Sequence, residues 1–194
     1  PHANFDEAFE ADLSAFMSVG DTGITVRTAK LADCIAHSLA VLARDSICPP
    51  PTAYCTGKVN SLGCTPAISS VGVPSATAGS GFLVRATDER NNKPGLLLYG
   101  VTGAAAIPFQ AAPLGVNPPV KRTGGVPSGG NAPPADDCSG VYEIDMNLFA
   151  VGSPTALPEL QIPGTVVHCQ WWGRDGAAAF GTSFSNGLKY TVCP

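Results

Sequence analysis

A chain of 194 residues suits one domain, or one domain with a smaller appendage, and is long enough to bury a real core without relying on cysteines alone. Charged residues make up only 13%, while 22 glycines and 18 prolines together form about a fifth of the chain, a balance that points to many short strands and turns rather than disorder. A net charge of −4 with 11 basic residues in no cluster excludes a nucleic-acid footprint, and no run of about 18 apolar residues is present to cross a membrane as a helix.

The chain opens at Pro1 with neither a methionine nor a basic-plus-apolar leader, as expected of a processed N-terminus. Phe5, Phe9, Leu13, Phe16 and Met17 then recur at helical spacing, with Asn4 or Asp6 placed to cap the start and Gly20 to end it. After a β-prone link over Ile24–Thr28, Leu31, Ile35, Leu39 and Leu42 repeat the period and predict a second helix that ends before Cys48. Pro49, Pro50 and Pro51 cannot continue a helix. The expected organisation is therefore a helical segment over 1–50 and a β-domain over 51–194. His37 has no histidine or carboxylate four residues on, so it reads as a helix surface residue rather than a ligand.

Beyond Thr52, β-prone runs alternate with turn-rich links. Candidate strands are Thr56–Asn60, Ala67–Val71, Gly81–Ala86, Gly95–Tyr99, Gly140–Met146, Thr165–Trp172 and Gly187–Val192. Short strands without helical periods between them predict a mainly β fold, an antiparallel β-sandwich or jelly roll. Lys121–Asp137 is too polar and too rich in Gly and Pro to pack, and is expected to be a long exposed loop. Near the C-terminus, Val167, Cys169 and Trp171 alternate onto one strand face and His168, Gln170 and Trp172 onto the other, so each face receives one of the two tryptophans.

The seven cysteines contain no CxxC pair, and the three histidines are scattered, so disulfides in an oxidising compartment are favoured over zinc. That places the protein outside the cytosol, secreted or at a cell surface. Cys55 with Cys64, Cys169 with Cys193 and Cys34 with Cys48 are candidate pairs, although six cysteines alone allow about fifteen connectivities. Cys138 is left over, free or available for an intermolecular link.

Few residues promise chemistry. Ser80 follows a Gly-rich turn without a GxSxG context and reads as a strand entry rather than a nucleophile. Asp136, Asp137 and Asp145 are oxygen donors of the kind calcium takes, with Glu143 nearby, but no EF-hand spacing supports a site and surface acidity is the ordinary account. Glu143 and Asp145 share a strand face as a carboxylate pair would, and His168 is the remaining base on this half of the chain. Arg174, Asp175 and Gly176 read as a turn, with Asp175 bonding its own backbone and Gly176 left-handed. Arg174 stacked on an exposed Trp172, with Tyr190 on the same face, would make a sugar-binding surface. No Gly-rich loop links a strand to a helix, so nucleotide binding has no support.

The blocks YCTGKVNSLGCTPAIS, GVPSATAGSGF, NNKPGLLLYG, AIPFQ, VNPPVKRT, DCSGVYEIDMNLFAVG, QWWGRD and SNGLKYTVCP, from about Tyr54 to Pro194, resemble a domain found at the C-termini of many large secreted proteins of environmental bacteria, a family without an assigned activity. The resemblance implies an extracellular module and no catalytic residues. Members of that family carry a cysteine near Gly115, which implies that Cys138 has lost its usual partner here. The expectation is a non-enzymatic structural module of a cell-surface or extracellular assembly, with no cofactor. Self-association or a protein partner would use the helical segment, the odd cysteine or an open sheet edge. The alternatives are a glycan-binding or adhesion module using Trp172, Arg174 and Tyr190, and, last, a hydrolase using Glu143, Asp145 or His168.

Overall fold

A computed structural model describes residues 48–194, which lie within the compact unit Ser46–Pro194. The two expected N-terminal helices, with His37 and Cys34, fall outside the described residues. The described part is mainly β. In chain order it comprises β1 (Thr52–Tyr54), β2 (Ala67–Gly72), β3 (Phe82–Glu89), β4 (Pro94–Gly100), β5 (Ala104–Phe109) and β6 (Ala112–Val116). There follow β7 (Lys121–Arg122), β8 (Val126–Pro127), β9 (Gly140–Asp145), α1 (Met146–Gly152), β10 (Val166–Arg174) and β11 (Thr182–Thr191).

Three antiparallel sheets result. The largest runs β1-β11-β10-β4-β7, with β8 also pairing β4; the second is β2-β3-β9; the third is the β5-β6 hairpin. β10 is central, and the alternation read from its sequence holds: Val167, Cys169 and Trp171 are buried in the main core with Leu97 and Tyr99 of β4 and Leu188 and Tyr190 of β11. The same core takes Ile68, Phe82, Val84, Ala86 and Tyr142 from the second sheet, so both sheets spend their apolar faces on one another. Tyr142 stacks on Trp171 at 5.3 Å, and Phe82 meets Tyr190 edge-on at 4.8 Å. Gly95 and Gly173, opposite one another on β4 and β10, make room for the tyrosine. A Cβ would stand 2.4 Å from Tyr142 Cζ at Gly95 and 2.7 Å from Tyr142 Oη at Gly173. These two strand glycines form a slot for one ring.

Several expectations are corrected. The run Thr56–Asn60 supplies only a single bridge from Lys58 to Phe184, while Thr52–Tyr54 forms the edge strand. The strand expected to reach Met146 stops at Asp145, whose carboxylate accepts from the amides of Asn147 and Leu148 and so caps α1. β11 begins at Thr182 rather than Gly187, and it carries one extra residue between Phe184 and Gly187, a bulge opposite the Gln170–Trp172 stretch of β10.

Lys121–Asp137 is not a free loop. It holds β7 and β8, and the buried Asn91 side chain donates to the carbonyls of Asn131 (2.8 Å) and Ala135 (2.9 Å) while accepting from the amide of Asp137 (3.1 Å).

Among the described residues the disulfides are Cys64–Cys138 and Cys48–Cys193, so none of the three expected pairings forms and Cys138 is not the odd cysteine. Geometry explains each miss. Asn60 folds the Ser61–Cys64 turn onto itself, its Oδ1 accepting from the amides of Leu62 and Cys64 at 3.0 Å each, and this turns Cys64 toward Cys138 instead of Cys55. On β10, Cys169 lies opposite Leu188 deep in the core, whereas Cys193 lies past the final Val166–Thr191 pair, where it reaches Cys48. Cys48 is thereby unavailable to Cys34. Cys55 is exposed and Cys169 buried, both as free thiols. Two disulfides fit an oxidising compartment, and among the described residues no helix is long and apolar enough to cross a membrane.

Candidate functional site

The second face of the large sheet, away from the main core, is built in rungs. One rung runs from Arg122 through Leu98, Gln170 and Gly187 to Tyr54; the next runs from Leu96 through Trp172 and Phe184 to Lys58. Over these rungs the β5-β6 hairpin is clamped by side chains. Gln170, fully buried, accepts from the Gly115 amide at 2.9 Å and donates to the Pro113 carbonyl at 3.1 Å. Tyr54 Oη donates to the Gly115 carbonyl at 2.8 Å, and Trp172 Nε1 donates to Gln110 Oε1 at 3.0 Å.

The tip of the hairpin, Gln110-Ala111, is left-handed at both residues (φ 51° and 59°), a turn that Asn-Gly would make at less cost. Lys58 holds it in place, donating from Nζ to the carbonyls of Gln110 (3.1 Å) and Thr182 (2.8 Å). Burial draws the Lys58 ammonium below the usual lysine range, with Asp175 acting in the opposite direction.

Beside the hairpin lies an open groove of about 410 Å³. Leu96, Leu98 and half-buried Trp172 form its floor, Phe109 and Leu114 one wall, and Val120 with Arg122 the other. Arg174 sits over the Trp172 ring with its guanidinium carbon 5.0 Å from the centroid. The hairpin adds exposed apolar surface at Ile107 and Phe109, and Phe180, from the turn between β10 and β11, stands beside its tip.

The residues singled out for chemistry are dispersed and engaged. Asp136 takes both Nε and Nη2 of Arg90 at 2.6 Å, and Asp137 accepts from Ser139 Oγ (2.5 Å) and Asn131 Nδ2 (2.8 Å). Asp145 caps α1 and also accepts from the Gly81 amide at 2.7 Å. Glu143 pairs with Arg85 across the strands. No group of three histidine, cysteine or acidic side chains among the described residues is placed to hold a metal ion. His168 is buried against Tyr54, ring edge to ring face at 5.7 Å, where burial lowers its basicity and Lys189 lowers it further. Tyr190 is corrected as a surface residue: opposite Val167, it is 3% exposed and belongs to the main core, not to the face of Trp172 and Arg174.

The turn expected after Arg174 forms, the Asp175 carbonyl accepting from the Ala178 amide at 3.0 Å, but two of its details differ. Asp175 is fully buried and accepts from Ser61 at its amide (2.7 Å) and hydroxyl (2.6 Å) and from Arg90 Nη1 (3.0 Å). Burial pushes its carboxyl up, but those bonds outweigh it and hold the group below the usual aspartate range. The left-handed residues here are Phe180 and Gly181 (φ 61° and 67°), not Gly176. Next to this network, Glu89 is 1% exposed with Oε2 accepting from Ser183 Oγ at 2.7 Å, and burial drives its carboxyl up to about 7. Among the described residues, Glu89 Oε1 and Trp171 Nε1 are buried without a hydrogen-bond partner.

Sequence reasoning named Trp172 and Arg174 but missed Phe109, Gln110, Leu114 and Arg122. Phe109 and Gln110 fall in the AIPFQ block and Arg122 in VNPPVKRT, but neither block stands out as a site, and the hairpin lacks both polar alternation and an Asn-Gly turn. Comparison of this chain with protein families, with curated proteins and with solved structures finds no match.

Proposed function

We propose that this chain is a non-enzymatic structural module of a secreted or cell-surface assembly, a β-sandwich stapled by disulfides and joined at its N-terminus to a helical segment. The observation that carries this reading is the apolar surface on and beside the hairpin tip, where Phe180 is 71% exposed, Phe109 41% and Ile107 40%. Three large apolar side chains around one clamped turn suit a contact between protein surfaces. Support also comes from the residues that would have served a hydrolase: Glu143, Asp145 and His168 are occupied by an ion pair, a helix cap and an aromatic contact. The family resemblance points the same way. A glycan platform is less favoured, since Arg174 already covers Trp172 and Tyr190 is buried.

Light scattering after size exclusion tests the proposal. A defined oligomer is expected at micromolar protein, dissociating in the Phe180→Ser, Ile107→Ser double variant. A monodisperse monomer across that range would overturn it.

A further inference from the structure

We infer that the groove beside the β5-β6 hairpin is a binding site for a small amphiphilic carboxylate, an acyl or aryl chain lying on Leu98, Leu114 and Trp172 with its anionic end at Arg122. The size is right for such a molecule: about 410 Å³ falls in the range of small-ligand sites, which are chiefly apolar with a few placed polar groups.

Charge decides the class. Arg122 lines the groove, is exposed, and has no hydrogen-bond or ion-pair partner among the described residues. Among those residues no carboxylate lines the groove, although the chain as a whole carries a net charge of −4. A second guanidinium, that of Arg174, stands over the Trp172 ring. The two oxygens of Gln110 are engaged, Oε1 accepting from Trp172 Nε1 and the carbonyl from Lys58, so the groove offers a ligand donors rather than acceptors. A neutral apolar ligand would leave the Arg122 head unused, and a polar one would leave Leu96, Leu98 and Leu114 wet.

The frame supporting the groove is rigid. Arg122 lies opposite Leu98 on β4, and Leu98 lies opposite Gln170, whose amide fixes the hairpin that carries Leu114. The guanidinium and the apolar floor are thus set in register by two adjacent rungs of the sheet, Arg122 and Leu98 in one and Leu96 and Trp172 in the next. The inference concerns a small ligand on the single chain and does not depend on assembly.

Octanoate and 1-octanol, titrated separately into the oxidised protein by calorimetry and tryptophan fluorescence, test it. Octanoate is expected to bind at least tenfold more tightly than 1-octanol. Arg122→Gln is expected to abolish that preference while leaving 1-octanol binding unchanged. Lys189→Gln, which removes one positive charge outside the groove, is expected to keep it. Equal binding of the two probes, a preference that survives Arg122→Gln, a preference lost equally in Lys189→Gln, or binding of neither probe would each overturn the assignment.

Discussion

Among the described residues Cys55 is the exposed free thiol, and the space facing it belongs to Gly115. An ideal Cβ built on Gly115 stands 3.2 Å from Cys55 Sγ, close to the separation across one half of a disulfide. Gly115 has no left-handed φ to forbid a side chain, and its backbone bonds to Gln170 and Tyr54 do not involve the new atom. Gly115→Cys is therefore expected to cross-link β6 to the chain after β1. The link closes a loop of about 60 residues, for which the chain-entropy relation gives about 4 kcal/mol as an upper figure. The new Cβ also lies 3.2 Å from Tyr54 Cε2, so a few tenths of an ångström of movement at that ring will reduce the gain. Gly115→Ser supplies the control, equal in shape but unable to bond. Both variants are refolded in a glutathione redox buffer, and denaturant unfolding is compared with Cys64–Cys138 and Cys48–Cys193 intact. A stability advantage of about 2 to 4 kcal/mol for the cysteine variant is expected, with mass spectrometry finding a peptide pair that joins Cys55 to the introduced thiol. Free thiols at both positions after oxidation, or unfolding midpoints equal to the serine control, would refute the geometry. The same geometry revises what the family resemblance implied: a cysteine near Gly115 would answer to Cys55, while Cys138 is already bonded to Cys64.

Two further outcomes follow from buried groups. Glu89 has its folded value raised from 4.5 to about 7, so its contribution is fully present below about pH 4.5 and is lost as pH rises through about 7. At about 1.4 kcal/mol per unit this amounts to about 3 kcal/mol, and Glu89→Gln is expected to flatten that slope in urea unfolding at pH 5 and pH 8.5; an unchanged slope would mean that Glu89 is ionised in the folded protein. Among the described cysteines outside disulfides, Cys55 is exposed while Cys169 is fully buried with its thiol pushed up by burial. Iodoacetamide at pH 8 is expected to label Cys55 in the native protein and Cys169 only under denaturant, and equal native labelling would contradict the placement of β10 at the centre of the core.

Much of the local structure was legible in the residues. The alternation of Val167, Cys169 and Trp171 against His168, Gln170 and Trp172 was enough to place β10 with one tryptophan on each face, because a strand's side-chain period depends only on backbone geometry. The strands around Ile68, Val84, Leu97 and Tyr142 were found for the same reason, and the composition already spoke for a turn-rich β fold. What escaped was whatever depends on partners far along the chain. The hairpin β5-β6 turns through Gln110-Ala111 in a conformation neither residue prefers, and it is held by Trp172 and Lys58. Disulfide partners were misassigned because short sequence separation suggested closure, whereas the Asn60 turn and the β10-β11 register aim the sulfurs elsewhere. The groove is the fullest case: Arg122, Leu98, Leu114 and Trp172 come from separate strands and become neighbours only when antiparallel pairing stacks them in rungs. Which faces are apolar and where strands lie can be read from the residues, since both follow from local periodicity. Which sulfurs bond, which carboxylates are consumed and where an unpaired guanidinium meets an apolar floor emerge only on folding, since each is a matter of long-range register.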